Sequence, residues 1–120
     1  MITVYHYPAC STCKKAIKWL EAKKIEHKLV HIVDQPPNKA TLSRVLKASG
    51  LPINKLFNTS GELYRAGNYK EKLATLSEAE ALTELAAHGK LIKRPLVIGE
   101  SKNGPVHLVG FKESDYQSAF

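Results

Sequence analysis

The first apolar stretch, Ile2-Thr3-Val4-Tyr5, is short, rich in β-branched and aromatic residues and soon followed by Pro8. It predicts a buried strand running into a loop. From Thr12 the period changes: Ala16, Trp19, Leu20 and Lys23 recur at three- and four-residue steps, with no Pro or Gly until well past Lys24. That spacing predicts an amphipathic helix starting near Ser11. His27 to Val33, with Leu29, Val30, Ile32 and Val33 as its apolar positions, predicts a second strand, closed by Asp34-Gln35-Pro36-Pro37. Asn38 or Thr41 then caps a helix that carries Leu42, Val45 and Leu46 and stops at Gly50.

Leu51 to Leu76 is the least periodic part, with a turn at Asn58-Thr59-Ser60-Gly61 and short helices expected around Lys55 and Lys70. Ser77-Glu78-Ala79-Glu80 has the form of a capping box, and Ala81, Leu82, Leu85 and Ala86 make the apolar face of a helix ending at Gly89. Arg94 to Ile98 and Val106 to Val109 read as a hairpin joined by a turn from Gly99 to Pro105, and Lys112 to Phe120 as a last short helix. A strand-helix-strand crossover makes a parallel pair and a hairpin an antiparallel one, so the class is α/β with a mixed sheet.

A chain of 120 residues with 43% hydrophobic side chains fits one domain with one core, residues 1–120. No apolar run approaches the ~20 residues that cross a bilayer, and the start lacks the features of a signal peptide, so the expected setting is cytoplasmic with no membrane partner. Eighteen Lys and Arg against eleven Asp and Glu give +7. These charges are spread along the chain without a run, a zinc-finger pattern or an aromatic-rich RNA motif. The expectation is a solvated basic surface that suits anionic substrates, and no direct nucleic-acid binding.

Cys10 and Cys13 change the picture most. Two cysteines so close cannot staple distant parts of a fold, and a reducing cytosol disfavours a persistent structural disulfide, which leaves reactivity or metal binding. Zinc needs about four ligands. Here there is no second Cys pair, and among His6, His27, His31, His88 and His107 only His27 and His31 lie close together, so no metal is expected. Closely spaced cysteines also occur as small buried apolar residues. Their place between a strand and a helix start favours redox use instead: unpaired backbone N–H groups and the helix dipole stabilise a thiolate at Cys10, and Lys14 and Lys15 add positive charge. Cys10 is then the nucleophile and Cys13 the resolving thiol. Arg94-Pro95 adds a proline suited to a strand start or a cis bond, and a planar cationic fork suited to an oxyanion or thiolate or, alternatively, to a surface ion pair.

With these pieces in place, the chain resembles the ArsC/Spx/MgsR family of thioredoxin-fold proteins, which includes arsenate reductases and the Spx and MgsR regulators. The resemblance rests on Ile2-Thr3-Val4-Tyr5, the loop Pro8-Ala9-Cys10-Ser11-Thr12-Cys13-Lys14-Lys15-Ala16, Leu91 to Val97 and Val109-Gly110-Phe111. It implies a thioredoxin-like mixed sheet with a helical insert at about 38–90. It also implies a reactive Cys10, a cis Pro95 beside it and Arg94 near the thiol; the residues themselves suggest supporting roles, Tyr7 and Thr12 shaping the loop and Lys14 favouring a Cys10 thiolate.

The family's arsenate reductases use further arginines. At the comparable places this chain has Asn58 and Val109-Gly110-Phe111, with Arg65 as a substitute. The polymerase-binding glycine of Spx finds no match in Leu51-Pro52-Ile53-Asn54. The expected function is therefore a thiol–disulfide redox protein forming a reversible Cys10–Cys13 disulfide, with no bound cofactor and with glutathione, glutaredoxin or thioredoxin as external reductant. The alternatives are a glutaredoxin-dependent arsenate reductase and an Spx-like regulator that binds the α subunit of RNA polymerase.

Overall fold

In the computed structural model, which describes all of residues 1–120, strand β1 (Ile2–His6) buries Ile2 and Val4 and leaves Thr3 and Tyr5 partly exposed. It is hydrogen-bonded on both sides. Strand β2 (His27–His31) pairs with it in parallel, from Ile2↔His27 to His6↔His31. Strand β3 (Leu96–Ser101) pairs antiparallel on the other side, with Val4 opposite Val97, and turns into β4 (Gly104–Val109), giving the order β2-β1-β3-β4. A parallel β1–β2 pair needs a crossover, and helix α1 (Ser11–Ala22) supplies it. Its buried residues Cys13, Ala16 and Leu20 recur at helical spacing.

Ile2, Val4, Ala16, Leu20, Val97 and Val106 form one buried cluster with Tyr116, which comes from helix α6 (Glu113–Ala119). Each fully buried aliphatic side chain contributes about 1.5–3 kcal/mol, so this cluster is what binds the two helices to the sheet. The Trp19 ring meets Tyr116 edge-on at 5.6 Å, and Phe111 meets it at 4.8 Å. The Tyr116 hydroxyl donates to the Gly110 carbonyl at 2.8 Å, while the Gly110 N–H donates to the Pro95 carbonyl at 2.8 Å. Gly110 makes both bonds at φ 76°, a left-handed conformation that a β-carbon disfavours.

These elements belong to one unit, residues 1–31 with 94–120; residues 32–93 form a second. The second unit holds α2 (Lys39–Ser49), a 3-10 turn (Ile53–Leu56), α3 (Glu62–Ala66), α4 (Tyr69–Lys72), α5 (Glu78–Ala87) and a 3-10 turn at Gly89–Leu91. Asn38 caps α2 by accepting the Thr41 N–H at 2.8 Å, and Gly50, at φ 69°, ends it. The expected capping box opens α5: Glu80 N–H to Ser77 Oγ at 3.1 Å, and Ser77 N–H to Glu80 Oε1 at 2.9 Å. Leu42 and Val45 of α2 and Leu82 and Leu85 of α5 are buried as the two helices pack. Phe57, Tyr64 and Tyr69 gather in a ring cluster, and Glu84 receives both the Tyr69 hydroxyl and the Lys72 ammonium.

Two boundaries and one element differ from the sequence reading. Strand β2 ends at His31, where β1, its pairing partner, also ends. The hairpin ladder continues through Glu100↔Pro105 to Ser101↔Gly104, so its turn shrinks to Lys102 and Asn103. Pro105 is tolerated there because β4 is an edge strand and has no neighbour awaiting an N–H on its outer side. Helix α3 was not expected; it buries no side chain and so leaves no apolar period to read. No helix is long and apolar enough to cross a membrane.

Candidate functional site

The chain leaves β1 at His6 and turns back on itself at once, the Cys10 N–H donating to the Tyr7 carbonyl at 3.0 Å. Cys10 is the N-cap of α1, with extended backbone angles of φ −86° and ψ 114°. Its sulfur accepts the Cys13 N–H at 3.2 Å and its carbonyl accepts the Lys14 N–H at 3.1 Å. A sulfur in the place where Ser or Asp usually caps a helix receives a donor from the first turn and sits at the positive end of the helix dipole.

Cys13 has the opposite environment. It is buried, and burial first, then the Cys10 side chain, push its thiol up to about 12; a hydrogen bond from the Tyr7 backbone and the Arg94 charge pull the other way. At neutral pH Cys13 is a neutral thiol behind a half-exposed Cys10. No disulfide joins them in this reduced form.

Arg94 and Pro95 enter from the start of β3 through a cis peptide bond, and Pro95 is buried. The Arg94 guanidinium lies over the Tyr7 ring, 4.9 Å from its centroid. The His31 ring meets Tyr7 at 5.5 Å and 74°, and the His6 ring lies 6.3 Å from that of His31. Burial and then the neighbouring His31 depress the His6 pKa below its ordinary 6.5.

The structure thus brings Cys10, Cys13, Arg94 and Pro95 into one unit, with Thr12 and Lys14 exposed in the first turn of α1. Asn58 and Arg65 lie in the second unit. Asn58 closes a turn through its backbone, donating to Leu91 at 2.7 Å and accepting from Gly61 at 3.1 Å; Arg65 is an exposed residue of α3. Among the histidines, His27 bonds back to the Ile25 carbonyl at 2.8 Å, whereas His31 joins the Tyr7 row. Sequence reasoning noted only that these two lie close together in the chain and missed that row; the pairing His6↔His31 is the signal that exposes it. No group of three or more His, Cys, Asp or Glu is placed to hold a metal ion. A cleft of about 650 Å³ lies at the other end of β1, against Ile2, Trp19, Ile25 and Phe120, and contains none of these site residues.

A four-stranded mixed sheet whose first strand leads into a Cys-x-x-Cys helix start, with an Arg-cis-Pro opening the antiparallel strand, defines a thioredoxin-like fold. The chain belongs to the ArsC family, whose profile matches residues 5–119. It is 48% identical to the uncharacterized protein YusI of Bacillus subtilis, over 97% of this chain and 95% of YusI. A crystal structure from Bacteroides fragilis, described as ArsC family related, superposes with a TM-score of 0.92 at 43% identity, covering 99% of this chain and 97% of that one. More distant relatives carry the descriptions arsenate reductase, regulatory protein MgsR and global transcriptional regulator Spx.

Proposed function

We propose that the protein is a thiol–disulfide redox protein in which Cys10 attacks and Cys13 resolves. The observation that carries this reading is the asymmetry of the pair: Cys10 is half-exposed with its sulfur capping α1, and Cys13 is buried with its thiol raised to about 12. The Cys10 thiolate attacks one sulfur of a disulfide, forming a mixed disulfide and expelling the other sulfur as a thiolate. Cys13 then loses its proton to solvent and displaces the second thiolate, forming Cys10–Cys13. Glutathione, glutaredoxin or thioredoxin supplies the two thiols that return the pair to the reduced state.

Exposure sets the order of events: Cys10 is half-exposed and meets a disulfide first, whereas Cys13 is buried, and burial is the main cause that raises its thiol to about 12.

Arg94 is the one arginine of the sheet-bearing unit. A single guanidinium suits a monocarboxylate or a thiolate better than a doubly charged arsenate, which supports disulfide chemistry over arsenate reduction. Likeness to Spx and MgsR motivates a regulator reading, with oxidation of the same pair altering binding to the α subunit of RNA polymerase. Thiol counting and peptide mapping after mild diamide oxidation test the main reading. A linked Cys10–Cys13 is expected, and two free thiols would overturn it. Turnover of arsenate with saturating glutathione and glutaredoxin would instead favour the reductase, and capture of RNA polymerase in only one redox state the regulator.

A further inference from the structure

We infer that Asn103, at the tip of the β3–β4 hairpin, is a site of spontaneous modification: its side-chain amide cyclises onto the Gly104 backbone nitrogen, and hydrolysis leaves aspartate or isoaspartate in its place.

The chain has five asparagines, and only Asn103 is followed by glycine. Lys39, Lys55, Thr59 and Tyr69 follow the others, and each carries a β-carbon that shields its backbone nitrogen. Two of those asparagines also have engaged side chains: Asn38 Oδ1 accepts the Thr41 N–H at 2.8 Å, and Asn68 Nδ2 donates to Glu71 at 3.1 Å. Asn103 is exposed, and no hydrogen bond holds its side-chain amide.

The main chain here is open on one side and held on the other. Gly104 stands at φ 112°, and even a β-carbon on it would meet nothing within 4 Å. Ser101↔Gly104 is the last pair of the ladder, so freeing the Gly104 nitrogen opens one terminal rung and disturbs no core packing. The Asn103 N–H donates to Ser101 Oγ at 3.1 Å, which steadies the residue's own backbone while its side chain turns.

The Gly104 nitrogen gives its proton to hydroxide and attacks Cγ of Asn103. A C–N bond forms, and the side-chain nitrogen takes a proton from water and leaves as ammonia. Water then adds to one of the two carbonyls of the five-membered imide and breaks a ring C–N bond. Opening on one side gives aspartate; opening on the other gives isoaspartate, whose main chain runs through the former side-chain methylene. Either product is a carboxylate at neutral pH, so the tip gains a negative charge. The isoaspartyl chain is also one carbon longer beside a clasp, because the Ser101 Oγ that accepts the Asn103 N–H donates to the Ala119 carbonyl of α6 at 2.6 Å.

The test holds the full-length protein at 37 °C, folded or in urea, at pH 7 and pH 8, and follows each asparagine by peptide mapping. A gain of one mass unit is expected at Asn103 alone. Its rate should rise up to about tenfold per pH unit, since the attacking nitrogen must lose its proton. The folded rate should lie within about tenfold of the rate in urea, because a terminal rung opens at little cost. Asn103→Gln, which would have to close a six-membered ring, should stay unmodified over the same period. An Asn103 that survives in the folded protein while it reacts in urea would overturn the inference, as would a gain spread over the other asparagines. The purified isoaspartyl form should unfold at a lower urea midpoint than Asn103→Asp, which carries the same charge on a normal main chain. Equal midpoints would overturn the link to α6.

Discussion

The backbone N–H of Cys13 lies 3.2 Å from the sulfur of Cys10, so the residue assigned to displace the mixed disulfide also holds the attacking sulfur in place through its main chain. The two roles separate by mutation, because Cys13→Ser removes the second sulfur and keeps the N–H. With oxidised glutathione, Cys13→Ser should retain one glutathione on Cys10, whereas the wild type should release it as the internal disulfide forms. Intact-protein mass spectrometry reads both outcomes; a variant that takes up no glutathione would show that Cys10 is not the attacking thiol.

The second step should depend on pH through Cys13. Its thiol is raised to about 12 before reaction, and even after Cys10 is consumed the largest cause, burial, persists. Only the thiolate displaces, and its fraction rises about tenfold per pH unit below the pKa. With 5,5′-dithiobis(2-nitrobenzoate), a two-phase release of nitrothiobenzoate is expected, its slow phase accelerating nearly tenfold for each pH unit from about pH 6 to pH 9. A slow phase indifferent to pH would mean that ionisation of Cys13 does not limit resolution.

His6 should make the fold sensitive to mild acid. Its folded pKa lies below the ordinary 6.5, so the unfolded chain binds the proton more readily and stability falls as pH drops through 6.5 toward the folded value. Denaturant midpoints at pH 7.5 and pH 5 should therefore differ more for the wild type than for His6→Leu. Equal losses in the two proteins would place the acid sensitivity elsewhere.

Tyr116→Phe should cost about 1–2 kcal/mol, because it leaves the buried Gly110 carbonyl without its hydroxyl donor while the ring packing is kept. Urea unfolding measures it, and an unchanged midpoint would show that the bond adds nothing to stability.

What could be read from the chain was local. The Ser77–Glu80 box, the Gly50 stop and the helical recurrence of Ala16 and Leu20 each need only a few neighbouring residues, and each stands where the pattern put it, while of the two caps offered for α2 the structure uses Asn38. The Cys10 and Arg94-Pro95 motifs were equally legible as motifs. What joins them was not: the row from His6 through His31 and Tyr7 to Arg94 depends on strand pairing between segments far apart in the chain, and no local period records it. The hairpin turn is shorter than the Gly99 to Pro105 span expected from the sequence, because the ladder runs on to Ser101↔Gly104 and the edge strand accepts Pro105. Arg65, considered as a second oxyanion ligand, lies on α3, an element that gave no sign of itself in the pattern.

Trp19, the chain's one tryptophan, packs on Tyr116 in the sheet-bearing unit, while Tyr64 and Tyr69 stack in the other. The protein therefore carries a built-in optical label for one of its two units. Indole emission follows the melting of the sheet and its two helices alone, far-ultraviolet dichroism follows helices throughout, and the separation of the two curves is a direct measure of how cooperatively the units unfold.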